Sequence, residues 1–228
     1  MVSIRGELRE ILVLLALFTA PIFAGTSPAG PAVLMISLAI RSTVFILVVL
    51  YIIDVRRRRT ELLPRGPVSP GQIVAIPVTA IVLLGLSVAV RSLTRTIPAL
   101  QGSTTAAQQI MQGLGDHSTL GILLLVIPAM VLVGYSEELF FRAYLIGQFR
   151  HLSLTPTRAV TAAAALFAMG HVGQGPAALL FAFLAALFLG VVWLRLPRIH
   201  VLALGHSVYN IASLLFAWDG QTPPVVLY

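Results

Sequence analysis

The sequence predicts an all-α fold, a polytopic bundle of transmembrane helices, and three observations predict it. Of the 228 residues 58% are hydrophobic and only 10% charged, which leaves too little polar surface to coat a soluble globule of this size. Apolar runs approaching the roughly 20 residues that cross a hydrocarbon core of about 30 Å as helix recur along the chain. The arginines fall between these runs, where membrane proteins carry their positive charge.

Seven apolar segments follow one another, at residues 11–24, 31–53, 72–90, 120–149, 159–172, 176–194 and 201–217, and they predict seven spans, or eight. The first is short. With Arg5 and Arg9 ahead of it and Ala24 behind, it also fits a secretory leader, although Ile22 is a poor residue three positions before a cleavage site. Residues 94–119, with their Gln, Gly, Ser and Thr, predict one long external loop. The chain thus divides into an N-terminal membrane region with that loop (1–119), a core that holds the chemistry (120–217) and a short tail (218–228).

Arginine placement predicts orientation. With the N-terminus in the cytoplasm, Arg5, Arg9, the cluster Arg56, Arg57, Arg58 and Arg59 with Arg65, then Arg150, Arg158, Arg195 and Arg198 share the cytoplasmic side. Only Arg91 and Arg95 then face outward, and the C-terminus lies outside. A multi-pass protein of the cell membrane is expected. The net charge of +7 is explained by this rule and by anionic lipid, so the bilayer and not nucleic acid is the expected partner. Cysteine is absent, which removes disulfides and thiolate chemistry. No Gly-rich phosphate loop and no paired-cysteine metal motif occurs.

An ionisable group inside a span costs about 3 kcal/mol on insertion scales, so each one asks for a partner or a purpose. They cluster late in the chain. The fourth segment carries Glu137, Glu138 and Arg142; the fifth carries Phe167 and His171; the seventh carries His206 and Asn210. Glu138 and Arg142 are four apart and share a helix face as a neutralising pair, and His206 and Asn210 share a face in the same way. Glu137, rotated by about 100° from Glu138, is left uncommitted. Counted from the nearest cytoplasmic arginine, Glu137 and His171 each lie 13 positions in, about 20 Å deep. Asn210 lies 12 positions in, at about 18 Å, and His206 lies 8 positions in, at about 12 Å. Three helices therefore bring a carboxylate, two imidazoles and an amide toward one layer. Phe140, Phe141 and Phe167 are read as packing, the lone charge Arg41 as a snorkelling or lipid-facing residue, and His117, His151 and His200 receive no role.

Glu-Glu-x-x-x-Arg, then Phe-x-x-x-His, then His-x-x-x-Asn, in that order and in separate spans, resembles the CPBP family, which holds CAAX prenyl endopeptidases and bacterial Abi or bacteriocin-immunity proteins. The resemblance covers roughly residues 120–217, and Ala143 stands where the family often has glycine. It implies an intramembrane protease acting on a peptide or membrane-protein substrate. Glu137 with His171 would position and deprotonate a water. His206 and Asn210 would donate to the oxyanion, and Glu138 with Arg142 would hold the helix and tune Glu137. A catalytically silent immunity or scaffold protein and a proton-coupled transporter are the alternatives; the transporter predicts paired inverted repeats, which the sequence lacks. Members of the family are commonly called metalloproteases, and zinc on Glu137, His171 and His206 is the corresponding ligand set. The chain lacks His-Glu-x-x-His, and metal bound to Glu137 would leave as base only the carboxylate that Arg142 occupies. An activated water with no obligatory cofactor is therefore the expectation.

Overall fold

The computed structural model describes residues 4–23, 30–56, 58–64, 66–67, 69–97 and 119–218. The elements are α1 (Ile4–Phe23), α2 (Pro31–Val55), a single turn α3 (Arg59–Leu62), α4 (Pro70–Arg95) and α5 (Thr119–Glu138). A π-helical stretch (Leu139–Leu145) joins α5 to α6 (Ile146–His151), followed by α7 (Pro156–Met169), α8 (Pro176–Arg195) and α9 (Ile199–Trp218). No strand occurs among the described residues.

Local chemistry sets the starts. Pro31, Pro70, Pro156 and Pro176 occupy first turns, where a missing N–H leaves no helical bond unmade. Ser69 and Gln72 cap α4 reciprocally, each side chain accepting from the other's backbone N–H. Thr155 accepts from the Arg158 N–H at the start of α7.

Helices occupy all seven predicted segments, and five stretches are long and apolar enough to cross a membrane by length and composition: Ala32–Val55, Pro70–Arg95, Leu120–His151, Pro176–Arg195 and Ile199–Phe216. The other two differ from simple spans. α1 begins at Ile4, earlier than the apolar pattern predicts, so its first turns carry Arg5, Glu7, Arg9 and Glu10. α7 has 14 residues, about 21 Å of helix, and stops at Met169. Gly170, Gly173 and Gly175, the last at φ 93°, then precede Pro176, so the helix cannot run on through Val172 as predicted. The loop expected at 94–119 is helical up to Arg95; residues 98–118, the tail from 219 and Ala24 lie outside the described residues.

α5 packs between α2 and α9, α9 also lies on α4, α4 touches α8, and α8 pairs with α7. The π-helical stretch, buried at all seven residues, meets α2, α7, α8 and α9 and closes the bundle around itself. Polarity is inverted relative to a water-soluble protein. Leu12, Leu47, Ile81, Leu120 and Leu124 are each more than 60% exposed, whereas Glu138, Arg142, His206 and Asn210 are at most 1% exposed. Apolar side chains on the outside and ionisable ones within describe a multi-pass membrane bundle.

Several charges gather at one end. Arg56 pairs with Glu10, which also accepts from the Tyr144 hydroxyl at 2.6 Å. Arg58 reaches Glu61 at 2.8 Å and Gln148, and its hydrogen bond holds the Glu61 carboxyl below the usual carboxylate range. His151 meets Glu7 at 3.3 Å, and Arg198 donates to the Pro64 carbonyl at 3.3 Å. The start of α1, the end of α2, the end of α6 and the start of α9 therefore share one face, as the charge pattern predicts.

Candidate active site

Two glycines let α9 approach closely enough to build the site. A Cβ at Gly134 would collide with Ser207 Oγ and stand 2.9 Å from the Ala203 carbonyl, and one at Gly205 would stand 2.7 Å from Thr79 Cβ. Small residues at these crossings bring α9 against α5 on one side and α4 on the other. His206 follows Gly205 directly and projects into the bundle one turn beyond Gly134, at the level of the two glutamates.

There it lies between them. His206 Nδ1 is 2.8 Å from Glu138 Oε1, and its Nε2 is 3.7 Å from Glu137 Oε2. Glu138 Oε2 is 3.0 Å from Arg142 Nε, so the neutralising pair read from the four-residue spacing is present. A carboxylate held by arginine only accepts, so the Nδ1 proton belongs to His206. The result is a buried line Arg142, Glu138, His206, Glu137 in which each side chain meets the next. Arg142 also lies over the Phe167 ring, its guanidinium carbon 5.0 Å from the centroid.

His171 sits just past the end of α7. Its Nδ1 donates to the Phe167 carbonyl at 2.9 Å, which leaves Nε2 with a lone pair, and its ring lies 4.7 Å from that of Phe167. Phe167 is in turn 6.5 Å from the His206 ring, so both imidazoles neighbour this phenylalanine. Asn210 is fully buried, one turn after His206 on α9, and neither its Nδ2 nor its Oδ1 has a hydrogen-bond partner among the described residues. A buried amide with nothing to bind is the group that an oxyanion or a substrate backbone would satisfy.

Glu137, Glu138, Arg142 and His206 are thus brought into one connected cluster, with His171 and Asn210 at its edges. The family resemblance implies that Glu137 works with His171; among the described residues the imidazole within 4 Å of Glu137 is that of His206. Among the described residues neither imidazole makes a hydrogen bond through Nε2, a state suited to metal binding. Yet no three His, Asp or Glu side chains among the described residues converge as a ligand set. Glu137, His171 and His206 as arranged do not fit zinc.

Sequence reasoning missed two features. The π-helical stretch leaves no signature in the sequence, since Glu138 and Arg142 keep the four-residue spacing of an ordinary helical pair. Arg41, expected to snorkel or face lipid, instead lines a cavity of about 20 Å³ together with Ser42, Phe45, Ser136 and Glu137. The signal for it was the polar Ser42 within the otherwise apolar buried stripe Met35, Leu38, Phe45, Val49 and Ile53 of α2. A larger cavity, about 480 Å³, lies at the charged end beside Gly147, Arg150 and Trp193, away from these groups.

No curated protein and no solved structure matches the chain. Residues 119–212, which supply every one of the seven motif residues, match the family model described as Type II CAAX prenyl endopeptidase Rce1-like, the family that the motifs resemble.

Proposed function

We propose that the chain is an intramembrane endopeptidase that hydrolyses a peptide bond of a membrane-associated protein or peptide. The observation that carries this reading is the uncommitted carboxylate of Glu137 beside the fixed line Arg142, Glu138, His206, with the unsatisfied amide of Asn210 one turn away. Glu137 takes one proton from water as the water oxygen bonds to the scissile carbonyl carbon. Asn210 Nδ2, and His206 Nε2 when it also carries a proton, donate to the oxyanion that forms. The carbonyl re-forms, the C–N bond breaks, and the proton held by Glu137 passes to the leaving nitrogen, giving a carboxyl and an amine. His171, at the edge of the cluster, would join this water only by closing on it when substrate binds. This chemistry has no obligatory metal. Glu138 and Arg142 hold His206 in its tautomer and orientation, as a carboxylate behind an imidazole does in other hydrolases.

Substrate trapping in the native host tests it, with the native protein compared against Glu137→Gln. A membrane protein or peptide that stays full-length only with the variant is the expected result; identical peptide profiles would refute the protease reading. Stoichiometric zinc in the active preparation, with activity lost to a chelator and restored by zinc, would overturn the metal-free mechanism.

The charged end belongs in the cytoplasm under the positive-inside rule, with the C-terminus outside. A reporter fused after Arg59 is expected to score cytoplasmic and one at Gly102 external. Opposite scores at both would invert the protein and place the charged end outside.

A further inference from the structure

An arginine in the middle of a membrane helix is costly unless it faces a polar partner or water. Arg41 lies well inside the span Ala32–Val55 and makes no ion pair among the described residues, although it is close enough to feel the charge of Glu137. What it faces is the small cavity bounded by α1, α2 and α5, whose polar lining is Arg41, Ser42, Ser136 and Glu137. Leu17, Phe18, Phe45 and Val133 complete the wall. A cavity of about 20 Å³ takes about one water, and a water in a dry site needs two to four polar partners, which this lining supplies. The Ser136 hydroxyl already donates to the Val133 carbonyl at 2.8 Å, so toward the cavity it accepts. A guanidinium only donates and an ionised carboxylate only accepts, so a water between Arg41 and Glu137 receives a hydrogen bond from the first and gives one to the second.

We propose that this cavity holds the hydrolytic water, with Arg41 and Ser42 as the residues that position it against Glu137. The inference rests on the protease reading for the fate of that water, but not for its presence. Polarity favours the reaction. The proton aimed at Glu137 is the one the base removes, while Arg41 and Ser42 fix the oxygen where a peptide entering beside Glu137 would meet it. The cavity also gives water a place to wait inside a bundle whose outer face is apolar. Arg41 lies outside the family match, in a helix to which the motifs assign nothing.

Radiolytic labelling of the full chain in ¹⁸O-enriched water, with peptide turnover measured in parallel, tests the proposal. Phe45 is only 7% exposed, so radicals from bulk water reach it poorly, whereas it lines the cavity in which the water would sit. The native protein is expected to acquire label at Phe45, Arg41→Leu and Ser42→Val to lose it several-fold, and Arg41→Lys to keep it. In the peptide assay kcat should fall about ten- to a hundredfold in Arg41→Leu with KM unchanged, the loss of one charge-assisted hydrogen bond, and Arg41→Lys should recover most of it. An unlabelled Phe45 in the native protein, equal labelling in all four proteins, or native kcat in Arg41→Leu would each overturn the water site. Labelling that follows the expected pattern in a protein with no peptidase activity would overturn the hydrolytic role and the protease reading while leaving a bound water.

Discussion

Glu137→Gln is expected to abolish peptide hydrolysis while leaving the protein folded and inserted. The amide matches the carboxylate in size but cannot accept a proton, so the general-base contribution of about 10²–10⁴ in rate is lost. The fold should tolerate the change, because Glu137 is the one member of the charged line without a short contact, its nearest partner being His206 at 3.7 Å. Asn210→Ala removes an oxyanion donor and should lower kcat by about 10²–10³. The double variant should lose less than the product of the two factors, since groups that act together in one transition state are not additive. His171→Ala separates two arrangements of the imidazoles. A loss as large as that of Glu137→Gln would show that His171 closes onto the water when substrate binds, and a small loss would leave His206 as the imidazole that serves Glu137. Turnover of Glu137→Gln within about threefold of native would sink the mechanism, since removal of a base cannot have so small an effect.

The parts of this site that were legible in the sequence are those set by position along one helix. Glu138 and Arg142 are four residues apart and do pair, and the order and depth of the motif residues placed three helices at a common level. Counting residues from an arginine gives height in the membrane but not rotation about the helix axis. For that reason the sequence could bring Glu137, His171 and His206 to one layer without showing that the imidazole of His206 lies 3.7 Å from Glu137. The rotation of α9 is set by the contacts of Gly134 with Ser207 and of Gly205 with Thr79, which join residues far apart in the chain. Spacing within one helix carries no trace of them. Spans were legible where composition alone decides, and less so where it does not. α1 extends through four charged residues because Glu10 and Glu7 find Arg56 and His151 at the same end of the bundle, partners that hydropathy cannot see. α7 is shorter than its apolar run because glycines and a proline follow it, a local signal present in the sequence but outweighed there by hydrophobicity.

Arg142→Ala should be the most destabilising single change in the site. The guanidinium is 1% exposed, pairs with Glu138 at 3.0 Å and lies over Phe167. Its removal leaves a fully buried carboxylate with only the His206 Nδ1 proton to compensate it, at 2.8 Å. Breaking a buried ion pair from one side costs about 3–5 kcal/mol, because the surviving charge has lost its solvation without its counterion. The π-helical stretch that carries Arg142 is in contact with four other helices, so the strain has no flexible segment in which to dissipate. The double variant Glu138→Gln with Arg142→Met removes both charges and keeps the volume, and it should recover most of the lost stability while remaining inactive, since His206 would no longer be held by a carboxylate. Reversible unfolding in mixed micelles gives both numbers. Arg142→Ala within about 0.5 kcal/mol of native, the range of an ordinary surface substitution, would show that the pair does not act as a buried ion pair. A double variant no more stable than Arg142→Ala would show that the loss came from packing on Phe167 and not from the stranded carboxylate.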